Sequence, residues 1–355
     1  MKILLLGEFS ALHKNLKEGL VELGHDVTIA ASGDGFKRIP ADISFASNMP
    51  GILGKLQRWL LPLTSLSAMK DFDVVQLINP FSFYYIFFPT RFFYQRIMKK
   101  NKKFFMLAAG DDAFFWKHGR VRLAYGPFDD FLKYDHQEES FYMDTEEAYR
   151  FNSEMVAKVR GVIPIMYEYE VSYLTEDKRL NTIPIPINLD KINYSENIVE
   201  NKLIVFHGLS RYGFKGTRHV EEAFDYLSKK YPNDLELIIE GKMPLNEYLE
   251  LMNRTNVVID QLYSHSLGVN GVYALAMGKV VMGGAEPESL KSLSVNESPV
   301  INLKPNAQSI IDQVERLLNN KSAIREIGIK SRLFAEQVHS HVKVAQQYVN
   351  TWSNN

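Results

Sequence analysis

The chain of 355 residues contains no cysteine. That excludes disulfides, thiolate metal sites and cysteine nucleophiles together, and it fits a reducing compartment. An excess of one charge is also missing: 41 basic residues face 42 acidic ones, for a formal net charge of −1. A generic nucleic-acid coat needs a broad basic surplus, so no nucleic-acid partner is expected. Long apolar runs are absent. The most apolar stretch, residues 81–94, is broken by Pro89 and Arg91 and falls short of the ~20 residues that span a bilayer. The start, with its very short apolar run and no small-residue cleavage site, does not read as a signal peptide. There is no short-period repeat and no low-complexity segment. What remains, 46% hydrophobic and 23% charged, is a globular composition long enough for two domains.

Residues 2–6 form an apolar run ending at Gly7, after which Leu12, Leu16, Leu20 and Leu23 recur at helical spacing up to Gly24. Residues 27–30 read as a second strand. Residues 73–78 read as another, closed by Asn79-Pro80, and 104–108 as another, closed by Gly110-Asp111-Asp112. A β-α-β opening of this kind predicts a parallel sheet. A polar and aromatic stretch, 129–157, precedes a short strand within 161–165. Residues 182–189 (TIPIPINL) hold two prolines in an apolar run. Proline does not sit inside a central strand, so this segment reads as the extended crossover between domains.

The second half repeats the grammar. Strands are expected at 203–206, 235–239, 257–260, 280–282 and 300–303. The helices between them include one with Val220, Ala223, Phe224, Leu227 and Tyr231 on a single face, and others at 248–252, 272–277 and 307–318. Residues 324–352 read as helical with a break near 339–341. The fold class is therefore α/β: two Rossmann-like domains with parallel sheets.

The sharpest segment is His207-Gly208-Leu209-Ser210-Arg211-Tyr212-Gly213-Phe214-Lys215-Gly216-Thr217, between a buried strand and an amphipathic helix. Its glycines permit tight backbone geometry, Arg211 and Lys215 supply two cations, and the helix start adds unpaired N–H groups and partial positive charge. That combination suits a diphosphate. The plain alternative is a basic surface loop with Thr217 as an N-cap. His207, at the strand end, reads as structural. A second glycine-flanked segment, Ser264 to Lys279 with Gly268, Asn270 and Gly271, opens a helix of small residues. Either its N–H groups face the same cleft, or it is a packing helix with a flexible approach.

In the first half, Gly110-Asp111-Asp112 offers two adjacent carboxylates that point in different directions. Either one of them is free to hydrogen-bond a ligand, or one caps the next helix. Glu8 and Ser10, in the loop after the first strand, and His118 are weaker candidate site residues; His13 reads as structural. No His/Asp cluster has metal-ligand spacing, so no metal and no bound cofactor is expected.

The order strand, Arg-x-x-x-Lys-Gly, helix, strand-Gly, strand, Gly-loop, small-residue helix and Gly-Lys-Val-Val resembles the C-terminal domain of GT-B glycosyltransferases, of the retaining family 4 type. Leu23-Gly24-His25-Asp26-Val27 resembles the turn after that family's first helix. Ile183-Pro184-Ile185-Pro186-Ile187-Asn188-Leu189-Asp190 resembles its run at the domain junction, and the terminal helix with Trp352 resembles the one that crosses back. The resemblance implies an N-terminal acceptor domain at 1–187, joined by a terminal helix at about 339–355, and a nucleotide-sugar domain at 188–338.

It further implies transfer of a sugar from a nucleoside diphosphate to a hydroxyl on a glycan or glycolipid, in the cytoplasm and without a metal. Asp111, Asp112, Arg211 and Lys215 would carry the chemistry. Gly208, Gly216, Gly241, His265, Gly268, Asn270, Gly271 and Tyr273 would join Arg211 and Lys215 in holding the donor. Glu8, Ser10, Asp111 and His118 would meet the acceptor. The family's usual account is front-face attack with no side-chain nucleophile. This chain departs from the pattern at His265 and Tyr273, where the family has two glutamates. A nucleotide-sugar epimerase of the same fold and a non-catalytic binding subunit are the competing readings.

A membrane contact is one reading of two further segments. Residues 81–103 combine an aromatic run with Arg91, Arg96, Lys99, Lys100, Lys102 and Lys103, and 51–70 set Leu53, Leu56, Trp59 and Leu60 beside Lys55 and Arg58. An apolar wedge beside a basic strip suits a peripheral contact at the inner face of a membrane; the alternative is a buried helix with a solvated basic end.

Overall fold

The computed structural model describes residues 1–85, 87–241, 243 and 245–355. Six strands make the first sheet: β1 Lys2–Leu6, β2 Asp26–Ala31, β3 Ile43–Ser44, β4 Val74–Leu77, β5 Lys103–Ala108 and β6 Val162–Pro164. They are all parallel and lie in the order β3-β2-β1-β4-β5-β6. Five make the second: β7 Leu203–Gly208, β8 Leu235–Glu240, β9 Val257–Ile259, β10 Val280–Gly283 and β11 Ile301–Asn302. These are parallel too, in the order β11-β10-β9-β7-β8. Together they form the two-domain parallel α/β architecture anticipated from the sequence.

The strand orders fix where ligands bind. The first sheet reverses its winding between β1 and β4, and the second between β7 and β9. Loops leaving such a pair diverge, and a crevice opens beyond the carboxyl ends of the strands. The relevant loops begin at Gly7 and Ile78 in one domain and at Leu209 and Asp260 in the other.

Most elements follow the apolar spacing. Leu12, Leu16 and Leu20 form the fully buried face of the helix Leu12–Glu22. Several boundaries differ. The helix Thr217–Lys230 has Gly216 at its N-cap, with φ +73°, so Thr217 is its first residue and does not cap it. The helix Val269–Ala276 begins three residues before the expected run, which draws Asn270 and Gly271 into its first turn. The polar stretch after β5 carries helical turns at Phe128–Asp130 and Phe131–His136 and a helix at Glu146–Lys158. Thr145 caps that helix by accepting from the Ala148 amide.

The chain crosses between domains twice, side by side. The Ile187 amide donates to the His339 carbonyl at 2.7 Å, and the His341 amide donates to the Ile187 carbonyl at 3.1 Å. The terminal helix His341–Asn354 then lies on Leu12–Glu22. Trp352 is fully buried there and its indole N–H donates to Gln76 Oε1 at 3.1 Å. Gly19 makes the approach possible: a Cβ at that position would lie 2.2 Å from the His341 carbonyl oxygen. Among the described residues no helix is long and apolar enough to cross a membrane.

Gly19→Ala therefore forces the two helices apart. We expect a loss of about 1–3 kcal/mol in urea unfolding, the range for overpacking a tight contact; an unchanged midpoint would contradict the packing described.

Candidate active site

Arg211 and Lys215 flank a single helical turn, Tyr212–Lys215, that follows β7. Neither points into bulk water. The Arg211 guanidinium lies 3.7 Å from the centre of the Phe214 ring and 4.5 Å from that of Phe131. One of its nitrogens donates to Asp111 Oδ2 at 2.7 Å, across the gap between the domains. Lys215 is buried, with its ammonium 3.7 Å from Asp260 Oδ1. That is beyond hydrogen-bond range, and among the described residues the ammonium makes no hydrogen bond.

Asp260, at the end of β9, is a residue the sequence reading passed over. It is almost fully buried, and its Oδ2 accepts from the Gly268 amide at 2.7 Å. It therefore ties the basic loop to the N-terminus of the helix Val269–Ala276. Gly271 fits only because it lacks a side chain, since a Cβ would lie 2.8 Å from Asp260 Oδ2. Gly208 ends β7. Gly241 is pressed against the Leu209 carbonyl, where a Cβ would clash at 1.8 Å. Asn270 is exposed in the first turn of its helix. His207 is fully buried: Nδ1 donates to the Ile259 carbonyl and Nε2 accepts from Thr217 Oγ1, each at 3.0 Å. Burial lowers its pKa to about 3, so the ring is neutral.

The two acidic neighbours of the first domain have separate environments. Asp112 is fully buried; Oδ1 accepts from the Phe115 amide at 2.8 Å and Oδ2 from the Tyr173 hydroxyl at 2.7 Å. It caps the following helical segment, and both its oxygens are occupied inside the domain. Asp111 faces the gap. Its Oδ2 holds Arg211, while its Oδ1 is buried without a partner.

The acceptor-side candidates do not converge equally. Glu8 is buried at the start of Leu12–Glu22 and accepts from the His13 and Lys14 amides at 3.3 and 2.9 Å. Burial outweighs those bonds and raises its pKa to about 7. Ser10 is turned toward Asp34 and Lys37: its amide donates to Asp34 and its Oγ accepts from Lys37. His118 lies within the first domain, with Nδ1 on the Ser172 carbonyl at 3.0 Å and Nε2 3.4 Å from the Tyr149 hydroxyl. Both nitrogens have partners within that domain. His13 is fully buried, with Nδ1 2.7 Å from the Gly7 carbonyl.

His265 and Tyr273 meet the first domain. The His265 amide donates to Glu168 Oε1 at 2.6 Å, the Ser266 amide at 2.9 Å, and the Ser264 hydroxyl donates to the same oxygen. The His265 ring stacks on Tyr125 at 4.2 Å, and its Nδ1 has no partner. Tyr125 in turn donates to Glu286 at 2.6 Å. The Tyr273 hydroxyl accepts from Asn15 Nδ2 at 3.2 Å. Glu168 and Tyr125 carry no motif in sequence and were not anticipated. The same holds for one group of three potential metal-ligating side chains, Glu22, Asp190 and His341. It sits where the chain crosses between domains, and there His341 Nε2 lies 2.8 Å from Glu22 Oε1.

No protein-family model and no curated protein sequence matches the chain. Solved structures do. Anabaena Alr3699/HepE in complex with UDP and glucose aligns over 100% of both chains at 13% identity, with a TM-score of 0.63. Sucrose-phosphate synthase from Thermosynechococcus elongatus aligns over 100% of this chain and 99% of its own, also at 13% identity and a TM-score of 0.63. UDP-GlcNAc 2-epimerase from Neisseria meningitidis, bound to UDP-GlcNAc, covers 100% of both chains at 13% identity with a TM-score of 0.54. The fold is that of the GT-B glycosyltransferases.

The raised pKa of Glu8 has a definite sign. Its ordinary value is 4.5 and its folded value about 7, so between those pH values the folded chain holds the extra proton. Stability contributed here is full below pH ~4.5 and is lost as pH rises toward about 7. Glu8→Gln should match the parent near pH ~4.5 and be more stable by about 1–3 kcal/mol near pH ~8 in urea unfolding. An equal difference at both pH values would contradict the buried, proton-binding carboxyl.

Proposed function

We propose that this chain transfers a sugar from a nucleoside-diphosphate sugar to a hydroxyl of a glycan or lipid-linked acceptor, with retention and without a metal ion. The observation that carries the reading is Arg211 on Asp111 of the facing domain, with Lys215 beside Asp260, at the β7/β9 switch point of a GT-B fold. Structures of like fold that hold UDP with glucose, or UDP-GlcNAc, support the donor class.

In this reading the donor diphosphate lies against Arg211 and Lys215, near the N-terminus of Val269–Ala276. The bond from the anomeric carbon to the phosphate oxygen breaks, and the charge that grows on the leaving phosphate is met by two cations and backbone N–H dipoles. A second hydroxyl of the acceptor, next to the attacking one, donates to the free Oδ1 of Asp111 and so aligns the attacking oxygen on the same face. The attacking hydroxyl forms the new bond to the anomeric carbon and gives its own proton to the departing phosphate oxygen, so no side chain forms a covalent intermediate. Arg211 exchanges Asp111 for phosphate while Phe214 and Phe131 keep the guanidinium in place. The reaction belongs to the cytoplasm, consistent with a chain that has no cysteine. The epimerase of like fold keeps a second reading open; turnover of the donor with no acceptor present would favour it.

Arg211→Ala and Lys215→Ala should each weaken UDP binding about 10–100-fold in calorimetry with EDTA present, and uridine binding little. Equal losses on both ligands, or UDP binding that needs a divalent ion, would refute the assignment. Asp111→Asn separates alignment from binding. It should lower kcat at least ~100-fold while leaving UDP affinity equal or higher, because Arg211 no longer leaves a carboxylate; weaker UDP binding would place Asp111 in the donor site.

A further inference from the structure

Acidic residues are unevenly distributed. None occurs from 43 to 70 or from 74 to 110, although the chain holds 42 in all. The helix Gly51–Thr64 and the loop and helix after β4, from these two segments, share one face of the first domain. The helix Gly51–Thr64 buries only Gly54 and Pro62 and turns Ile52 (84% exposed), Leu53, Leu56 and Leu60 to solvent. The loop after β4 holds out Phe87, 92% exposed and in the left-handed backbone region at φ +62°. For a bulky residue that conformation is strained. Trp59 of the helix meets Phe88 of the loop edge to face at 6.1 Å, which joins the two into one surface. Phe92 is exposed beside them, with the Arg96 guanidinium 5.2 Å over its ring. Ile86 lies outside the described residues.

An apolar face of this extent marks a binding surface, and its charges choose the occupant. Among the described residues Lys55, Arg58, Arg96, Lys99 and Lys100 form no ion pair. A second copy docked about a two-fold axis would set these cations against their own equivalents, with few carboxylates to offset them, Asp71 beside Lys100 and Glu147 in the neighbouring cavity. An anionic bilayer supplies both an apolar boundary for the hydrophobic side chains and phosphates for the cations.

We propose that the first domain docks on an anionic lipid surface through Ile52, Leu53, Leu56, Leu60 and Phe87, flanked by this basic set. The inference stands independently of the transfer reading, but the face adjoins the site. A cavity of about 900 Å³, lined among others by Tyr84, Tyr85, Phe88 and Tyr142, opens in the same surface. Its wall is the loop that Asn79 fastens to Asp111, accepting from the Phe81 amide at 2.7 Å and donating to the Asp111 carbonyl at 3.0 Å. An amphiphilic acceptor lying in the bilayer surface is thereby presented on the Asp111 side of the cleft.

Co-sedimentation of the full chain with vesicles tests this. Phosphatidylcholine mixed with phosphatidylglycerol should bind at least ~10-fold more protein than phosphatidylcholine alone at low salt, and high salt should remove most of the difference. Lys55→Glu with Arg58→Glu should cut binding about 10-fold, and Leu53→Ser with Leu56→Ser should cut it at every salt concentration. Equal binding to neutral vesicles, or variants that bind like the parent, would overturn the proposal. So would a dimer in ultracentrifugation that both variants abolish, with no vesicle binding, since it would assign the face to a second copy. Thermal shift by UDP should be the same in the variants and the parent, so failure of docking and failure of the transfer reading are read separately.

Discussion

The contact between Arg211 and Asp111 joins two domains that share no strand, and much of the site depends on it. A guanidinium and an ammonium one helical turn apart repel each other, and the repulsion grows as water is excluded. The chain resolves this with carboxylates. Asp111 holds Arg211 from the facing domain, and Asp260 lies beside Lys215 from below. Asp260 is anchored by the Gly268 amide and so stays in place. Asp111 keeps one oxygen without a donor and, under the proposed function, is the stand-in that yields Arg211 to a more highly charged anion.

The cleft is also gripped on its far side. Glu168 accepts from the backbone of the loop around His265, and Tyr125 stacks on the His265 ring while holding Glu286. Arg218 and Tyr263 both reach Asp130. Together with an apolar core that runs from one domain into the other, these polar contacts position the two domains.

The sheets were legible because parallel strands buried on both faces are continuous apolar runs, as at 2–6, 104–108 and 257–259. The Ile43–Ser44 strand was not, since two residues carry no periodicity, and YEYEVS in Tyr167–Ser172 alternates polar and apolar residues without a helical stripe. The basic pair could be read because both members lie in one loop. Their partners could not: Asp111 is 100 positions from Arg211 and Glu168 is 97 from His265. The adjacent carboxylates show the limit most clearly. Nothing local distinguishes Asp111 from Asp112; the difference is made by Tyr173, 61 positions on, which takes one of them into the core.

The terminal helix carries a consequence for biogenesis. Glu22 and His341 touch although they are 319 positions apart, so the ribosome delivers the first helix long before its cover. At ordinary elongation rates the interval is on the order of tens of seconds. From the emergence of β6 at Val162–Pro164 onward, the first sheet has all its strands while the groove that later receives Tyr348 and Trp352 still lies open.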